Sequence, residues 1–183
     1  SAAYSLRKIR AAATNVVRVR RSSDNAEQDF TDTEITDGTL TTFTGAGDGF
    51  VTIWYDQSGN SFDAAQTSAT NQPQIINSGS LILQNGKPSV YSSGSKNLNT
   101  GLVSIGTSGD ISLDFFAVIN NTSSGKQEHL LGLSNNTSST NRVRVFAFAN
   151  DDSSTKSVRL YGGNVVYSSS ATGQLLFNTN YQG

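Results

Sequence analysis

The sequence predicts an all-β fold, a two-sheet antiparallel β-sandwich with one short N-terminal helix. Short runs of β-branched and aromatic residues recur along the chain, separated by stretches rich in Ser, Thr, Asn and Gly. Almost no helical periodicity lies between these runs, which favours a sandwich or jelly roll over an α/β fold. At 183 residues, the chain has the length of one all-β domain.

The only helical pattern lies at the N-terminus. Over residues 4–10, apolar residues share one face of a short helix and basic residues lie opposite. Such a short helix needs packing against the rest of the chain, or against a neighbouring chain, to persist. We assign residues 1–11 to this linker or short helix and residues 12–183 to the β-sandwich domain, which we expect to continue past Gly183.

The strands follow from apolar alternation with a period of two. Residues 17–20 alternate valine with arginine, and residues 51–55 carry the single tryptophan. The later predicted strands are residues 111–119, 130–133, 142–148, 157–161, 164–167 and 175–181. Turn composition marks residues 45–49, 58–60, 85–88 and 134–141, and Gly162-Gly163 is a hairpin signal.

Composition excludes several classes of protein. The chain has no cysteine, which rules out disulfides and thiolate metal sites. Its formal net charge is −1 and its charged fraction is 15%, so no basic surplus attracts nucleic acid or an anionic membrane. The longest apolar runs are far too short to span a bilayer. We therefore expect neither a nucleic-acid partner nor membrane insertion.

Three segments in sequence order resemble a known family. A strand ending in Arg-Arg-Ser-Ser-Asp (residues 20–24) precedes Tyr-Asp-Gln-Ser-Gly-Asn (55–60), and Asn-Gly-Lys-Pro (85–88) follows. This order is similar to the catalytic domain of the α-L-arabinofuranosidase B group, glycoside hydrolase family 54. It is also similar to laminin-G-like modules of phage virion appendages and bacterial surface proteins, to which residues 20–29 are closer. The resemblance covers about residues 4–91 and implies a concanavalin-like jelly roll.

The resemblance does not imply a complete catalytic pair. A retaining glycosidase needs two carboxyl groups about 5 Å apart. The nucleophilic glutamate of the hydrolase family follows an alternating strand and would fall near Asn150 here, where an amide cannot act as the nucleophile. The acid/base aspartate of the family would lie close to Gly183 or beyond it. Asp151 and Asp152 keep a hydrolase open as an alternative, although their run is also ordinary hairpin chemistry. We assign no catalytic residue.

The polar loop after the predicted strand at 51–55 has two interpretations. Its side chains could hold sugar hydroxyls or a cation, or they could cap main-chain N–H groups in a tight turn in which Gly59 allows a positive φ. The folding role is favoured because the signature occurs in enzymes and non-enzymes alike. The arginines of residues 18–21 and the acids of residues 24–29 similarly predict an ion-paired face. The predicted structural motif comprises Arg20, Asp24, Asp56, Gln57, Gly59 and Asn60.

If the module binds a glycan, we expect the site on a shallow concave sheet face or a loop rim, with an aromatic residue that stacks on the C–H groups of the sugar. The aromatic candidates are Trp54, Tyr55, Tyr91, Tyr161 and Tyr167, of which Trp54 is favoured as a core residue. The predicted ligand-binding residues are Trp54, Tyr55, Asn150, Asp151 and Asp152.

No cofactor and no metal site are predicted. The resemblance to laminin-G-like modules, which often bind calcium, makes Asp110, Asp114, Asp151 and Asp152 candidate donors for this cation, but no Asp-x-Asp-x-Asp loop is present. His129 is the single histidine and cannot anchor zinc without a second histidine or a cysteine.

We expect a non-catalytic structural or adhesive module of a virion appendage, such as a tail fibre, or of a bacterial surface protein. Its expected location is extracellular or on the virion, and its expected partners are other subunits of the assembly and a cell-surface glycan. Low charge and the absence of Cys and Met favour such an exposed, oxidation-resistant role. The alternatives are a retaining glycoside hydrolase of the α-L-arabinofuranosidase type and a purely architectural capsid or fibre domain.

Overall fold

The computed structural model describes residues 1–100, 117–118, 128–134, 142–150 and 156–162. The chain forms two compact units, residues 1–116 and 117–183. The predicted strands at residues 164–167 and 175–181 lie outside the described residues, as does most of the one at 111–119.

A six-stranded antiparallel sheet organises the first unit. Its strands are β1 (Val17–Arg21), β2 (Glu27–Phe30), β3 (Gly49–Trp54), β4 (Ala64–Ala65), β5 (Gln74–Asn77) and β6 (Ser80–Leu81). They lie in the order β2-β1-β3-β5-β6, with β4 paired to β3. The short strands β7 (Leu83–Gln84) and β8 (Lys87–Pro88) form a separate hairpin. The predicted strands at 17–20 and 51–55 are therefore confirmed as the two central neighbours β1 and β3.

Alternation along β1 and β3 determines where the core lies. Val17 and Val19 are buried and face the same side as Val51, whereas Arg18 and Arg20 point to the opposite side of the sheet. Helices α1 (Asp32–Thr36) and α2 (Thr39–Thr44) cover the valine side. The core cluster comprises Val16, Val17, Val19, Phe30, Ile35, Leu40, Val51, Ile75 and Ile76.

The prediction of a helix over residues 4–10 is wrong. This segment has no helical turn, and its main-chain groups bond to side chains of the loop that follows β3 instead of to each other. The helices lie at α1 and α2, where Thr31 and Glu34 form a capping box. That box has the Ser/Thr-x-x-Asp/Glu pattern, so the sequence carried a signal for α1 that the periodicity did not reveal.

The second unit contains a three-stranded antiparallel sheet in its described residues. The strands are β9 (Glu128–Ser134), β10 (Arg142–Asn150) and β11 (Lys156–Gly162), in the order β11-β10-β9. The predicted strands at 130–133, 142–148 and 157–161 are confirmed. Antiparallel strands and a few short helices make the fold all-β. No helix in the described part of the chain is long and apolar enough to cross a bilayer.

Candidate functional site

The loop that follows β3 is held by the carboxylate of Asp56. Its two oxygens accept the main-chain N–H groups of Ser58 at 2.8 Å and Phe62 at 3.1 Å, and the Ser58 hydroxyl donates to Oδ2 at 2.7 Å. The loop turns at Gly59, whose φ of +91° lies in the left-handed region that favours glycine. The Asp-Gln-Ser-Gly-Asn run therefore forms a tight Asx-type turn at the end of a central strand.

The same loop binds main-chain groups of the N-terminal segment. Asp56 Oδ1 accepts the N–H of Ala3 at 2.8 Å, and the carbonyl of Ala3 accepts the N–H of Gln57 at 2.8 Å. The Asn60 amide donates to the carbonyl of Ser1 at 2.8 Å, and the Tyr4 hydroxyl donates to the carbonyl of Phe62. The first four residues are thereby fixed on the loop.

Gln57 extends this attachment to residues 5–9 of the segment. Its side-chain oxygen accepts the N–H of Ile9 at 2.8 Å, and its amide donates to the carbonyls of Ser5 at 2.9 Å and Arg7 at 3.0 Å. Gln57 is only 4% exposed. The buried amide of Gln57 makes three hydrogen bonds to the main chain of the segment. It thus satisfies main-chain groups that a neighbouring strand would satisfy in a sheet.

A polar cleft of about 280 Å³ lies between this loop and the residues that lead into β1. Its volume is near the lower limit of small-molecule pockets. The carboxylate of Asp63 accepts the main-chain N–H of Asp56 at 2.8 Å, and the Arg10 guanidinium lies directly over Gly59. The lining residues are Arg10, Ala12, Ala13, Thr14, Asn15, Tyr55, Asp56, Gln57, Gly59 and Asp63.

Two ionisable groups of the cleft have strongly displaced pKa values. Burial by itself would raise the pKa of Asp56, but the hydrogen bonds from Ala3, Ser58 and Phe62 outweigh it and lower the pKa to about 2. Burial, together with a hydrogen bond to the Asp29 carboxylate at 2.7 Å, raises the pKa of Tyr55 to about 12. At neutral pH, Asp56 is therefore ionised and Tyr55 is protonated.

Trp54 lies on the core side of this region. It is half-buried, packs against the core cluster and contacts the Tyr4 ring at 6.1 Å between ring centres. Its indole N–H is buried and has no hydrogen-bond partner among the residues that the structure describes. Trp54 thus contacts both the core and the bound N-terminal segment, and Tyr91, which is 47% exposed, is the more accessible aromatic side chain.

The predicted site residues do not all come together. Tyr55, Asp56, Gln57, Gly59 and Asn60 share the loop, whereas Arg20 and Asp24 belong to the β1–β2 hairpin. There Asp24 pairs with Arg21 at 2.6 Å, not with Arg20. The ion-paired face expected for residues 18–29 is present as Arg18–Asp29 and Arg21–Asp24.

The remaining candidates come from residues 110–167 of the sequence. Asn150 is the last residue of β10 and pairs with Lys156 of β11. Asp151 and Asp152 lie outside the described residues, as do Asp110, Asp114 and Tyr167. His129 and Tyr161 lie on β9 and β11. No group of three or more His, Asp or Glu side chains suited to a metal ion occurs among the described residues.

Sequence reasoning missed Arg10, Asp63 and the docked main chain of residues 1–9. Their contacts with the loop join positions about 50 residues apart or involve main-chain atoms, which carry no side-chain signature.

No protein-family model, no curated protein and no solved structure matches this chain. The resemblance to the arabinofuranosidase and laminin-G-like domains therefore stays a prediction.

Proposed function

We propose that the chain is a non-catalytic structural or adhesive module of a virion appendage or bacterial surface protein, built on a concanavalin-like jelly roll. The observation that carries this proposal is the hydrogen bonding within the Tyr55–Asn60 loop. Asp56 and Gln57 engage their side-chain polar atoms with the protein's own main chain. Groups fixed in this way stabilise the fold and have little capacity left for a substrate.

The electrostatics of Asp56 argue in the same direction. A general acid must be protonated at the working pH, and a carboxylate nucleophile needs an accessible lone pair. With a pKa of about 2 and donors on both oxygens, Asp56 meets neither requirement. The nearby Asp63 carboxylate accepts the Asp56 main-chain N–H and supports the turn.

A direct assay distinguishes the proposed non-catalytic module from a glycoside hydrolase. We expect no release of p-nitrophenol from arabinofuranosides, xylosides or galactosides, and no loss of any residual signal in the Asp151→Asn or Asp152→Asn variants. Turnover that either variant abolishes would contradict the proposal. The assay needs no assumption about Asp56, because the two variants probe the carboxylates next to Asn150, near which the nucleophile of the hydrolase family would fall.

A glycan array separates an adhesive module from a purely architectural one. Saturable binding to a defined class of glycans would support adhesion. Absence of binding, together with co-purification in a particle or surface assembly, would support the structural form of the proposal. Location is tested independently by immunogold labelling of virions and of intact cells, where exclusive labelling of the cell interior would contradict it.

A further inference from the structure

The three arginines of β1 differ in their partners. Arg18 donates to both oxygens of Asp29, at 2.7 and 2.9 Å, and Arg21 donates to both oxygens of Asp24, at 2.8 and 2.6 Å. Arg20 donates instead to two neutral amide oxygens, those of Gln72 at 2.8 Å and Asn25 at 2.7 Å. Within the part of the chain that the structure describes, ion pairs are formed by Arg18 and Arg21 and not by Arg20.

A second cation lies beside Arg20. The Arg20 guanidinium carbon is 4.8 Å from the centre of the Phe50 ring, and the Lys96 ammonium nitrogen is 5.4 Å from the same centre. Lys96 also donates to the main-chain carbonyl of Gln72 at 3.1 Å. Two positive charges therefore converge on one aromatic ring, and neither has a carboxylate within ion-pair distance among the described residues.

Gln72 holds both cations in place. It is 2% exposed, and its own amide donates to the carbonyl of Gln66 at 3.0 Å. Its side-chain oxygen accepts a hydrogen bond from Nε–H of Arg20, and its main-chain oxygen accepts one from the ammonium of Lys96. A buried, internally bonded amide orients the two charges before any ligand arrives, which reduces the entropy lost on binding.

Donors remain after these bonds are counted. A guanidinium has five N–H groups and an ammonium has three, and the described residues accept from two N–H groups of Arg20 and one of Lys96. We propose that Arg20, Phe50 and Lys96 form a binding site for the carboxylate of an acidic sugar. The carboxylate accepts from the remaining N–H groups of Arg20 and Lys96, and the sugar lies beside Phe50.

The surroundings favour a sugar over a nucleic acid. The exposed amide of Asn25 borders the cluster and suits hydroxyl groups of a ligand. Glu27 lies opposite Arg20 in the β1–β2 register, and its carboxylate accepts a hydrogen bond from the Thr52 hydroxyl. Its negative charge opposes the many charges of a polyphosphate chain more than the single carboxylate of one sugar. The formal net charge of −1 provides no extended basic track for such a chain.

This inference rests on the adhesive form of the proposed function and names its ligand class. The test measures binding of the whole chain to an oligosaccharide of galacturonic acid and to the same oligosaccharide with its carboxyl groups reduced to alcohols. We expect saturable binding of the acidic form that weakens with added salt, and at least about tenfold weaker binding of the reduced form. A sialylated oligosaccharide, run in parallel, distinguishes the two sources of a sugar carboxylate.

Two variants test the residues, with a matched control on the same strand. Arg20→Gln and Lys96→Gln should each weaken binding of the acidic oligosaccharide by about tenfold or more, because each removes a charge-assisted bond. Arg18→Gln removes the same charge from the same strand but leaves the cluster intact, and should change binding less than about twofold. Lys96 lies outside the sheet, so Lys96→Gln remains informative if Arg20→Gln unfolds, and a thermal melt of each variant identifies that case.

The outcomes that overturn the inference differ from those that overturn the proposed function. Equal binding of the acidic and reduced oligosaccharides, or no effect of either variant, rejects the site while the adhesive role stands. Binding of inorganic phosphate or single-stranded DNA in preference to the acidic sugar rejects the ligand class. Hydrolysis of the oligosaccharide rejects the proposed function itself.

Discussion

The carboxylate of Asp56 accepts the main-chain N–H of Ala3 at 2.8 Å, across 53 positions of sequence. The same carboxylate closes the turn by accepting the N–H groups of Ser58 and Phe62. One side chain therefore connects the folding of the loop to the docking of the N-terminal segment. Weakening either interaction should weaken the other, because the shared acceptor must be positioned for both.

Asp56→Ala should destabilise the first unit by about 2 kcal/mol, because three main-chain N–H groups lose their acceptor in a half-buried site. Urea unfolding followed by Trp54 fluorescence measures the change, since Trp54 contacts the Tyr4 ring of the docked segment. Ser58→Ala is the matched control within the same turn, with an expected loss of about 0.5–1 kcal/mol. Equal losses in the two variants would contradict the central role of the carboxylate, as would a larger effect of Asp56→Ala on glycan affinity than on stability.

Gln57→Glu should release the N-terminal segment without changing the size of the side chain. The new carboxylate oxygen would face the carbonyls of Ser5 and Arg7, which now accept from the Gln57 amide. Trypsin cleavage after Arg7 and Lys8 should accelerate about tenfold or more, because cleavage requires the segment to open. N-terminal sequencing of the products over time measures the rate.

Gln66→Glu is the control for that experiment. Gln66 is half-buried and its amide donates to Asn97 in a solvent-exposed hydrogen bond, so the same chemical change is made away from the segment. Its cleavage rate at Arg7 and Lys8 should match that of the unmodified chain. Equal acceleration in both variants would mean that added negative charge, and not loss of the Gln57 bonds, opens the segment.

The strands were predictable because their signal is local. Val17 and Val19 alternate with arginines, and the two sides of β1 differ in burial as that alternation requires. The turn at Asn85-Gly86 has the positive φ values of 49° and 72° expected from its sequence. In each case the residues that carry the signal are the residues that form the structure.

The N-terminal segment could not be predicted in the same way. Its pattern of apolar and basic residues indicates a helix, yet its main-chain groups find better partners in the buried amide of Gln57. Those partners lie about 50 residues away, so tertiary hydrogen bonds override a weak local propensity. The Arg20–Phe50–Lys96 cluster was missed for a related reason: strand pairing and a loop bring together three residues that no short motif connects.

The pKa of Asp56 predicts a defined acid dependence of stability. The folded-state pKa of about 2 lies below the ordinary 3.8, so the unfolded chain takes up the proton first as the pH falls. The contribution of the ionised form is complete above about pH 4 and disappears as the pH falls through about 2. After allowance for solvent screening, it amounts to about 1–2 kcal/mol.

Asp56→Asn provides the measurement, because an amide has no charge to lose. The difference in unfolding free energy between the unmodified chain and this variant should shrink by about 1–2 kcal/mol between about pH 5 and pH 2. Other acidic groups titrate equally in both proteins and cancel in the difference. A difference that stays constant over this range would contradict the assigned pKa.

Gly59→Ala tests why glycine occupies the turn of this loop. At φ +91°, an L side chain is strained, and a Cβ built there would lie 1.7 Å from an Arg10 guanidinium nitrogen. The strain belongs to the backbone, whereas the clash involves the far end of a flexible side chain that can move away. We therefore expect a loss of about 1–2 kcal/mol, most of which persists when Arg10 is also replaced by Ala.

The double-mutant cycle separates the two causes. If backbone strain dominates, the effect of Gly59→Ala is nearly the same in the Arg10 and Arg10→Ala backgrounds, with a coupling free energy below about 0.5 kcal/mol. A coupling above about 1 kcal/mol would instead mean that Arg10 stacked on the glycine is itself a stabilising contact. In that case Arg10→Ala alone would both open the polar cleft and destabilise the turn at Gly59. The stability of the loop would then depend on a residue that lines the cleft.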